Sequence, residues 1–326
     1  MTTVLITGVA GFIGSHMAEH FRATTDWRIV GLASFRHRGD SLRMDEGVPG
    51  LELYHADLTA PISQRLADRI GPVDYIVHAA AESHVDRSIA EPRPFIENNV
   101  AVTITMLEYA RLVRPAVFVQ VSTDEVYGPA PAGVNHAEWA TILPSNPYAA
   151  SKAAQEAIAI SYWRTYGVPL VITNTMNNFG ERQDREKYVP SILRALVQGD
   201  EVTVHGTPDQ IGSRFYLHAR NHADAIRFLL EGRPTPYGEA DRPDRYHVRG
   251  ELEIDNLALA QMVADYAGLP LRYRLVDFHT ARPGHDLRYA LDGEKLASLG
   301  WEPPVPLAAS LERTVRWSLD HSWWFR

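Results

Sequence analysis

Short apolar runs alternate with longer amphipathic stretches through the first half of the chain. The apolar runs predict strands over residues 3–8, 27–33, 51–58, 73–80, 116–122 and 169–175. The stretches between them carry apolar residues at helical spacing and predict helices over 12–25, 63–71, 94–113 and 147–167. Strands that are apolar throughout suit a sheet covered on both faces. The alternation therefore predicts an α/β fold with a doubly wound parallel sheet.

The rhythm changes after about Thr175, where Pro and Gly become frequent and the predicted helices shorten. Residues 233–245 predict a loop, whereas 221–232 predict a helix that returns to the first unit together with the strand 245–248. We therefore expect two domains. The first covers 1–175 and about 222–249, and the smaller second domain covers 176–221 and 250–326.

Composition narrows the class of protein. The 326 residues are 45% hydrophobic, which is enough for one large core or two modest ones. A formal net charge of −8 argues against a nucleic-acid surface. The absence of Cys excludes disulfides, thiolate metal sites and a Cys nucleophile. No basic leader and no apolar run of about 20 residues are found, so we expect a cytoplasmic protein without a membrane span. We also expect no metal centre.

The stretch "TGVAGFIGSH" follows the first strand and opens the first helix. Gly8, Gly11 and Gly14 give a G-x-x-G-x-x-G spacing, which lets backbone N–H groups and a helix N-terminus approach a pyrophosphate. A glycine triplet alone is a weak signal, but this position between a strand and a helix is the one that a dinucleotide loop requires. We therefore predict a dinucleotide site, the alternative being a tight structural turn.

The end of the second strand bears on the choice of dinucleotide. An NAD site usually has an acid here, and this chain has Ala33 followed by Ser34, Arg36 and Arg38. Without the carboxylate there is no repulsion toward a 2′-phosphate, and an Arg could pair with one. The stretch favours NADP over NAD, while an ordinary basic loop remains the alternative.

Two further motifs carry candidate chemistry. In "NPYAASK", Tyr148 and Lys152 are four residues apart and share one helix face. An ammonium and an oxidised nicotinamide would both favour the phenolate, which could act as a base toward an alcohol; the alternative is an ordinary surface pair. In "VSTDEVYG", Thr123, Asp124 and Glu125 follow a strand, at the sheet edge where ligands bind in open α/β sheets. The alternative for these two acids is a solvated turn.

Together with "HAAAESHVDRSI" and "RPGHDLRYALD", these motifs resemble the extended short-chain dehydrogenases, and within them the nucleotide-sugar 4,6-dehydratases of the dTDP-glucose type. The resemblance runs over nearly the whole chain. "STDEVYG" and "AAESHVDRSI" are typical of the dehydratase branch, whereas the glycine motif and the Tyr/Lys pair also occur in epimerases and decarboxylases. The resemblance implies a nucleotide-sugar substrate, a lyase reaction, a tightly bound NADP or NAD that each cycle regenerates, and a homodimer.

The resemblance also implies roles for residues. Tyr148 would take the proton of the sugar 4-hydroxyl, Lys152 would lower the pKa of Tyr148 and hold the cofactor ribose, and Thr123 would orient O4. Glu125 would remove the C5 proton as general base, and Asp124 would protonate the leaving C6 hydroxyl. Like-charge repulsion and desolvation would raise one of the two carboxyl pKa values.

Two further sets of residues belong to the expected site. For the cofactor they are Gly8, Gly11, Phe12, Ile13, Gly14, Ser34, Arg36, Asp57, Leu58, Ala79, Ala81, Asn99, Tyr148 and Lys152. For the substrate they are Ser83, Asn177, Lys187, Arg214, Arg282 and His285.

The sequence departs from the family pattern in two stretches. In "QIGSRFYLHARNHADA", Phe215, Arg220 and Asn221 replace acids, and "GELEIDN" is expected to lack an Asn that holds the nucleotide in relatives. The nucleotide and the sugar therefore stay open. Two other functions are considered: a nucleotide-sugar 4-epimerase or decarboxylase, which would not need both acids, and a non-catalytic NADP-sensing regulator, which would not need Tyr148 and Lys152.

Overall fold

The computed structural model describes residues 1–36, 39–45, 48–232, 241–277 and 286–325. Its strands are β1 Thr3–Thr7, β2 Arg28–Ala33, β3 Leu51–His55, β4 Tyr75–His78, β5 Val117–Thr123, β6 Leu170–Thr175, β7 Asn178–Phe179, β8 Val202–Thr207, β9 Gln210–Ile211, β10 Ser213–Arg214, β11 Leu217–His218, β12 Asp244–Val248, β13 Ile254–Asp255 and β14 Tyr273–Val276. Its α-helices are α1 Phe12–Thr24, α2 Leu42–Asp45, α3 Gln64–Ile70, α4 Val85–Ala90, α5 Pro92–Val113, α6 Pro147–Tyr166, α7 Tyr188–Gln198, α8 Ala219–Gly232, α9 Asn256–Ala267, α10 Glu294–Ser298 and α11 Leu307–Asp320. Short 3₁₀ turns cover Asp124–Tyr127 and Ser322–Trp324.

Seven parallel strands form the main sheet in the order β12-β6-β5-β4-β1-β2-β3. β1, β4, β5 and β6 are buried at every position, as their uninterrupted apolar runs predict. Apolar side chains pack on both faces of the sheet, one layer around Phe21 and Ile226 and the other around Met106 and Trp163. The predicted doubly wound α/β fold is confirmed, and the carboxyl ends of all seven strands lie along one edge.

The helix that carries the Tyr/Lys motif has well-defined ends. The Asn146 side chain accepts a hydrogen bond from the backbone N–H of Ala149, and Pro147 occupies the first turn, where no donor is needed. Gly167 ends the helix in the left-handed conformation. The observed α6 thus agrees with the predicted 147–167, whereas α5 begins at Pro92, two residues before its predicted start.

The rest of the chain forms smaller sheets that pack with α7, α9 and α11 around a separate apolar cluster. β14, β8 and β9 form one sheet, β10 pairs with β13, and β11 pairs with β7. β12 joins the edge of the main sheet beside β6, and α8 packs on α1. Residues 233–240 of the predicted loop lie outside the described residues. No helix in the described ranges is both long and apolar enough to cross a bilayer.

A buried arginine ties three distant segments together. The Arg43 guanidinium donates to the carbonyl oxygens of Ala10 and Arg182, at N–O distances of 3.4 and 3.0 Å, and pairs with Asp184 at 2.9 Å. It also lies 5.4 Å from the ring centre of Trp324. The glycine loop, the segment after β7 and the C-terminal aromatic residues therefore meet at one side chain.

Candidate active site

A cavity of about 420 Å³ opens along the carboxyl edge of the main sheet. The ends of β1, β2, β4, β5 and β6 line it on one side. Arg214 of β10, Asn256 at the start of α9 and Tyr289 line the other side. The cavity therefore joins the glycine loop to the acidic turn that follows β5, within reach of a single extended ligand.

The backbone of the glycine loop packs so closely that side chains do not fit at Gly8 and Gly14. Gly8 has φ +70°, and a Cβ at this position would lie 3.0 Å from the Cα of Ala80. A Cβ on Gly14 would lie 2.3 Å from the carbonyl oxygen of Gly8. The loop therefore stays close to the segment that follows β4, and the first residues of α1 line the cavity. This arrangement fits the pyrophosphate of a dinucleotide.

The residues expected around the adenosine also line the cavity, namely Ser34, Arg36, Asp57 and Leu58. Arg36 forms a two-point ion pair with Asp57, at N–O distances of 2.8 and 2.9 Å. Both side chains are exposed to solvent, at 46% and 36%. Ala33 is buried at the end of β2. Arg38 lies outside the described residues.

The two acids begin the 3₁₀ turn that follows β5. The Thr123 hydroxyl caps this turn: it donates to Asp124 Oδ1 over 2.8 Å and accepts from the Glu125 N–H over 3.3 Å. Asn146 donates to Glu125 Oε2 over 3.1 Å. Asp124 is buried, and within the described chain its Oδ2 has no hydrogen-bond partner. The turn therefore leaves one carboxyl oxygen of a cavity-lining acid without a hydrogen-bond donor.

Burial, and then the charge of Glu125, raises the pKa of Asp124 to about 7. Burial also raises the pKa of Glu125, although its hydrogen bond from Asn146 and the charges of Lys187 and Arg214 oppose that rise. Desolvation is thus a larger cause than the like-charge repulsion. The two carboxyls differ in their partners, since Glu125 faces donors that favour its ionised form while Asp124 is the better candidate for a protonated acid near neutral pH.

Tyr148 and Lys152 line the same cavity from α6. Lys152 is buried, and its Nζ donates to the Val121 carbonyl over 2.7 Å. Burial lowers the pKa of Lys152 to about 8, with Glu156 opposing that shift. The pKa of Tyr148 is raised by burial and then by the charges of Glu125 and Asp124, while hydrogen bonding with Thr123 lowers it. The lowering expected from Lys152 is therefore not found, since desolvation and the two acids raise the pKa of Tyr148.

Most residues expected to bind substrate line the cavity as well. These are Ser83, Asn177, Lys187 and Arg214. Lys187 donates to the Ser83 carbonyl over 3.2 Å, which joins two of them. The Arg214 guanidinium donates to the carbonyl oxygens of Ser213, Asp286 and Leu287 and lies 4.4 Å from the ring centre of Tyr289. Arg282 and His285 lie outside the described residues.

Of the residues expected at the cofactor, Gly8, Gly11, Phe12, Ile13, Gly14, Ala79 and Ala81 lie on the cavity wall, but Asn99 does not. The Asn99 side chain is fully buried and holds both backbone groups of Glu82 and the hydroxyl of Ser151, at 2.8 to 3.1 Å. Its amide is used to support the wall, because the helix α5 places it behind the loop that follows β4.

Three residues in or beside the cavity were not assigned a role from the sequence. Asn146 holds Glu125, and the Asn-Pro pair before α6 could have identified it as a helix cap. Asn256 belongs to "GELEIDN", the stretch that was expected to lack a nucleotide-binding Asn, and it lines the cavity. Tyr289 has a buried hydroxyl with no partner in the described chain, and no local signal separates it from a core tyrosine.

Two histidines and a carboxylate meet outside this cavity, at His16, Glu181 and His218. The His218 Nδ1 accepts from the Arg220 N–H over 3.0 Å, so its Nε2 carries the proton that is donated to Glu181 over 2.9 Å. A metal ion would instead need the unprotonated Nε2. Arg313 donates to the same carboxylate over 2.8 Å. These hydrogen bonds favour an ion-pair cluster over a metal centre.

Comparison with known proteins identifies the family. The family described as GDP-mannose 4,6 dehydratase matches residues 5–314. The chain belongs to this family. It is 34% identical to the dTDP-glucose 4,6-dehydratase 1 of Escherichia coli K12, over 98% of this chain and 94% of that protein. The crystal structure of the dTDP-glucose 4,6-dehydratase from Streptomyces venezuelae, which contains NAD and dTDP, is similar with a TM-score of 0.86 and 36% identity, covering 100% of this chain and 99% of that one.

These findings confirm the predicted class, a nucleotide-sugar 4,6-dehydratase that works with a nicotinamide cofactor. The fold alone does not make that distinction. The UDP-glucose 4-epimerase of Thermus thermophilus, solved with NAD, has a TM-score of 0.84 at 27% identity, covering 97% of this chain and 98% of that one. What separates the dehydratase from such an epimerase is the chemistry of the residues along the cavity.

Proposed function

We propose that this dehydratase converts a dTDP-glucose-like nucleotide hexose into the 4-keto-6-deoxy sugar. The observation that carries the proposal is the presence of two buried or half-buried acids, Asp124 and Glu125, in the same cavity as Tyr148 and Lys152. Residues 1–175 and 222–249 would bind the dinucleotide, and 176–221 and 250–326 would bind the nucleotide sugar. The dTDP-glucose preference is supported by the names of the relatives.

The first step is oxidation at C4. A bound nicotinamide would supply the acceptor for the C4 hydride and the donor of hydride to C6, where a proton returned to C5 completes the product, so the reaction would have no net redox change. Tyr148 takes the proton of the 4-hydroxyl, and Thr123, which hydrogen-bonds with Tyr148, orients that oxygen. Because the buried phenol resists ionisation, the positive charge of Lys152 is needed beside it.

The second step is loss of water across C5 and C6. The new 4-ketone acidifies the C5 proton, which Glu125 removes as general base. Asp124 donates a proton to the departing C6 hydroxyl, and we assign this transfer to its Oδ2, which has no hydrogen-bond partner in the described chain. A pKa of about 7 keeps a large fraction of Asp124 protonated at neutral pH, whereas Asn146 stabilises the ionised form of Glu125.

The phosphates of the nucleotide would lie beside the cationic residues of the cavity. Asn177, Lys187 and Arg214 line the cavity and offer an amide and two cations. Arg282 and His285 complete the proposed set by resemblance alone. Arg214 already donates to three carbonyl groups, so we expect it to position the wall as well as to attract the diphosphate.

For the cofactor we propose NADP rather than NAD. Ala33 leaves no carboxylate at the end of β2, and Arg36 lines the cavity beside Ser34. The Arg36–Asp57 ion pair is exposed, so the guanidinium can exchange the carboxylate for a 2′-phosphate at little cost. The related structure from Streptomyces venezuelae contains NAD, and the alternative is that Arg36 serves only Asp57.

The proposed assembly is a homodimer through α5 and α6. These helices pack on each other and leave the apolar side chains of Ile96, Ile104 and Leu112 exposed on α5. Light scattering at micromolar concentration should give twice the chain mass, and substitution of Ile104 by Glu should shift the protein toward the monomer. The cytoplasmic location expected from the sequence stays a prediction.

The division of labour between the acids can be tested with deuterium. In heavy water, Glu125→Gln should oxidise C4 but fail to exchange the C5 proton, whereas Asp124→Asn should exchange C5 and lose water slowly. Each variant should lose about 10²–10⁴-fold in dehydration rate, the usual effect of removing a positioned acid or base. The sugar is analysed by mass spectrometry after incubation with a panel of nucleotide hexoses.

Three results would contradict the proposal in different ways. Equal C5 exchange by both variants would show that the roles assigned to Glu125 and Asp124 are wrong. Epimerised product without loss of water would favour the 4-epimerase. Binding of dinucleotide without turnover of any nucleotide sugar would favour the non-catalytic regulator.

A further inference from the structure

A buried ion pair lies directly behind the active site, between Glu156 of α6 and Arg245 of β12. Glu156 is fully buried and Arg245 is 1% exposed, and their N–O distance is 2.8 Å. The second carboxylate oxygen of Glu156 accepts from the Asn174 side chain over 2.7 Å. Arg245 also lies 4.3 Å from the ring centre of Trp139 and donates to the hydroxyl of Tyr127 over 2.9 Å. Both oxygens of the carboxylate are therefore held by donors that are themselves buried.

This pair contacts two of the segments that carry the proposed chemistry. Tyr148, Lys152 and Glu156 are spaced four residues apart and share one face of α6. The same Asn174 amide that binds Glu156 also donates to the Thr123 carbonyl over 3.0 Å. Lys152 in turn donates to the carbonyl of Val121, two residues before Thr123. Glu156 is thus connected to the end of β5 through Asn174 and to Lys152 along the helix.

Glu156 is also the negative charge that acts on Lys152. Burial is the main influence on the Lys152 ammonium and lowers its pKa to about 8, and Glu156 opposes this shift. His78 of β4 is the other titratable group coupled to Lys152 among the described residues, and burial lowers its own pKa to about 3, so it is neutral. Tyr148 is neutral too, because its pKa is raised. Without Glu156, Lys152 would lose its proton closer to neutral pH.

We propose that Glu156, held in place by Arg245, is a positioning residue for the reaction: it fixes the end of β5 through Asn174 and keeps Lys152 in its charged form. This inference rests on the catalytic role proposed for Lys152. A pair that only stabilised the fold could be replaced by neutral residues without changing the charge of Lys152. The two roles therefore differ in what happens to the titration of Lys152.

The chain suits a direct measurement, because Lys152, Lys187 and Lys295 are its only lysines. Lysine labelled with ¹³C at Cε gives three signals, and Lys152→Met assigns one of them to Lys152. In Glu156→Gln the midpoint of the Lys152 titration should fall by about one pH unit, the order expected for a charge one helical turn away. The alkaline limit of C4 oxidation, followed through reduction of the nicotinamide in a single turnover, should fall with it.

Two further variants keep the experiment decisive. Glu156→Gln leaves Arg245 buried without its partner and can fail to fold. The double variant Glu156→Gln/Arg245→Met removes both charges, and its Lys152 midpoint should still fall, by about half a unit, because the carboxylate is the charge that couples to Lys152. Glu181→Gln is the control: it removes another buried carboxylate, whose partner Arg313 is largely exposed, and it should leave the Lys152 titration unchanged.

The outcomes separate this inference from the proposed function. An unchanged Lys152 midpoint in the folded double variant would overturn the positioning role of Glu156 while leaving the proposed reaction intact. A Lys152→Met protein that oxidises C4 at the parent rate would overturn the role of Lys152 itself. A shifted midpoint together with a shifted alkaline limit, both absent in Glu181→Gln, is the result expected.

Discussion

Asp124 and Glu181 are both buried carboxylates, with 3% and 5% of their surface exposed, yet their environments have opposite effects. Asp124 has one hydrogen bond, from Thr123, and in the described chain its other oxygen is unpartnered. Glu181 accepts from His218 and Arg313, at 2.9 and 2.8 Å.

Burial raises the pKa of Asp124 to about 7. Burial acts in the same direction on Glu181, but the hydrogen bonds from His16 and His218 outweigh it and hold the pKa of this carboxyl well below its usual range. Burial therefore does not decide whether a carboxylate supports the fold or serves chemistry. The hydrogen-bond donors around the carboxylate make that distinction, and in the catalytic turn Asp124 has fewer of them than Glu181 has.

The largest effect on stability should come from the paired acid. Glu181→Gln removes a buried charge that faces His218 and Arg313, and we expect the free energy of unfolding at pH 7 to fall by about 3 kcal/mol, because the buried His218 donor loses a charged acceptor. Because the folded pKa of Glu181 is depressed, this contribution is present above its unfolded pKa and is lost as pH falls below that value. Denaturant unfolding at pH 7 and at pH 4 measures the loss of unfolding free energy and its dependence on pH.

The control for this prediction is Glu97→Gln, which breaks the exposed ion pair with Arg93 and should leave stability unchanged. If the two variants lose the same free energy of unfolding, the cluster around Glu181 contributes no more to stability than an exposed ion pair does.

The opposite change is expected at the unpaired acid. Asp124 has a folded pKa above its unfolded value of 3.8, so its contribution to stability is present below pH 4 and is lost as pH rises through about 7. Asp124→Asn removes the buried charge, and at pH 8 we expect a gain of roughly 2–4 kcal/mol in the free energy of unfolding. At pH 4 the gain should vanish. An Asn variant that is less stable than the parent at pH 8 would show that the ionised carboxylate has partners in solution.

The same titration should appear in the rate. If Asp124 must be protonated to release water from C6, the dehydration rate at saturating substrate should fall as pH rises through about 7. Well above this value the loss should approach tenfold for each pH unit. C4 oxidation should keep its rate until Lys152 loses its proton near pH 8. Parallel profiles for the two steps would contradict the assignment of Asp124 as the acid.

The smallest effect should come from a pair that is neither buried nor catalytic. Arg36 and Asp57 are exposed, and Arg36→Ala should change the free energy of unfolding by less than about 1 kcal/mol. If Arg36 binds a 2′-phosphate, the variant should lose about tenfold in affinity for NADP and almost none for NAD. Introducing a carboxylate with Ala33→Asp should favour NAD further. Fluorescence titration of the stripped protein gives both constants, and equal losses for the two cofactors would assign Arg36 to Asp57 alone.

Local sequence was sufficient wherever a feature depends on neighbours in the chain. The apolar runs predicted the main sheet, and the topology of that sheet brings "TGVAGFIGSH", "VSTDEVYG" and "NPYAASK" to one edge. The features that the sequence did not predict depend on residues far apart in the chain. The Glu181 cluster needs α1, β11 and α11 together, and the Glu156 pair needs a strand almost ninety residues away. No periodicity connects such partners, because only the folded chain brings them within hydrogen-bond distance.

The pKa shifts in the site could not be predicted from the sequence either. The Tyr/Lys spacing suggested a tyrosine with a lowered pKa, but it carries no measure of desolvation, and burial raises that pKa instead. Asn99 was expected at the cofactor, and the depth of α5 places it behind the wall. Asn256 was overlooked because its position in the cavity depends on how β13 pairs with β10.

The Arg43 side chain has a consequence for the order in which the protein matures on the ribosome. It joins Ala10, near the start of the chain, to Trp324, near its end. The strands and helices around the glycine loop can form early during synthesis, since their contacts are local. The contact of Arg43 with Trp324 forms only after residues about 280 positions further along the chain have been made. A nascent chain halted before Trp324 should therefore contain the dinucleotide fold while its Arg43 lacks this aromatic contact.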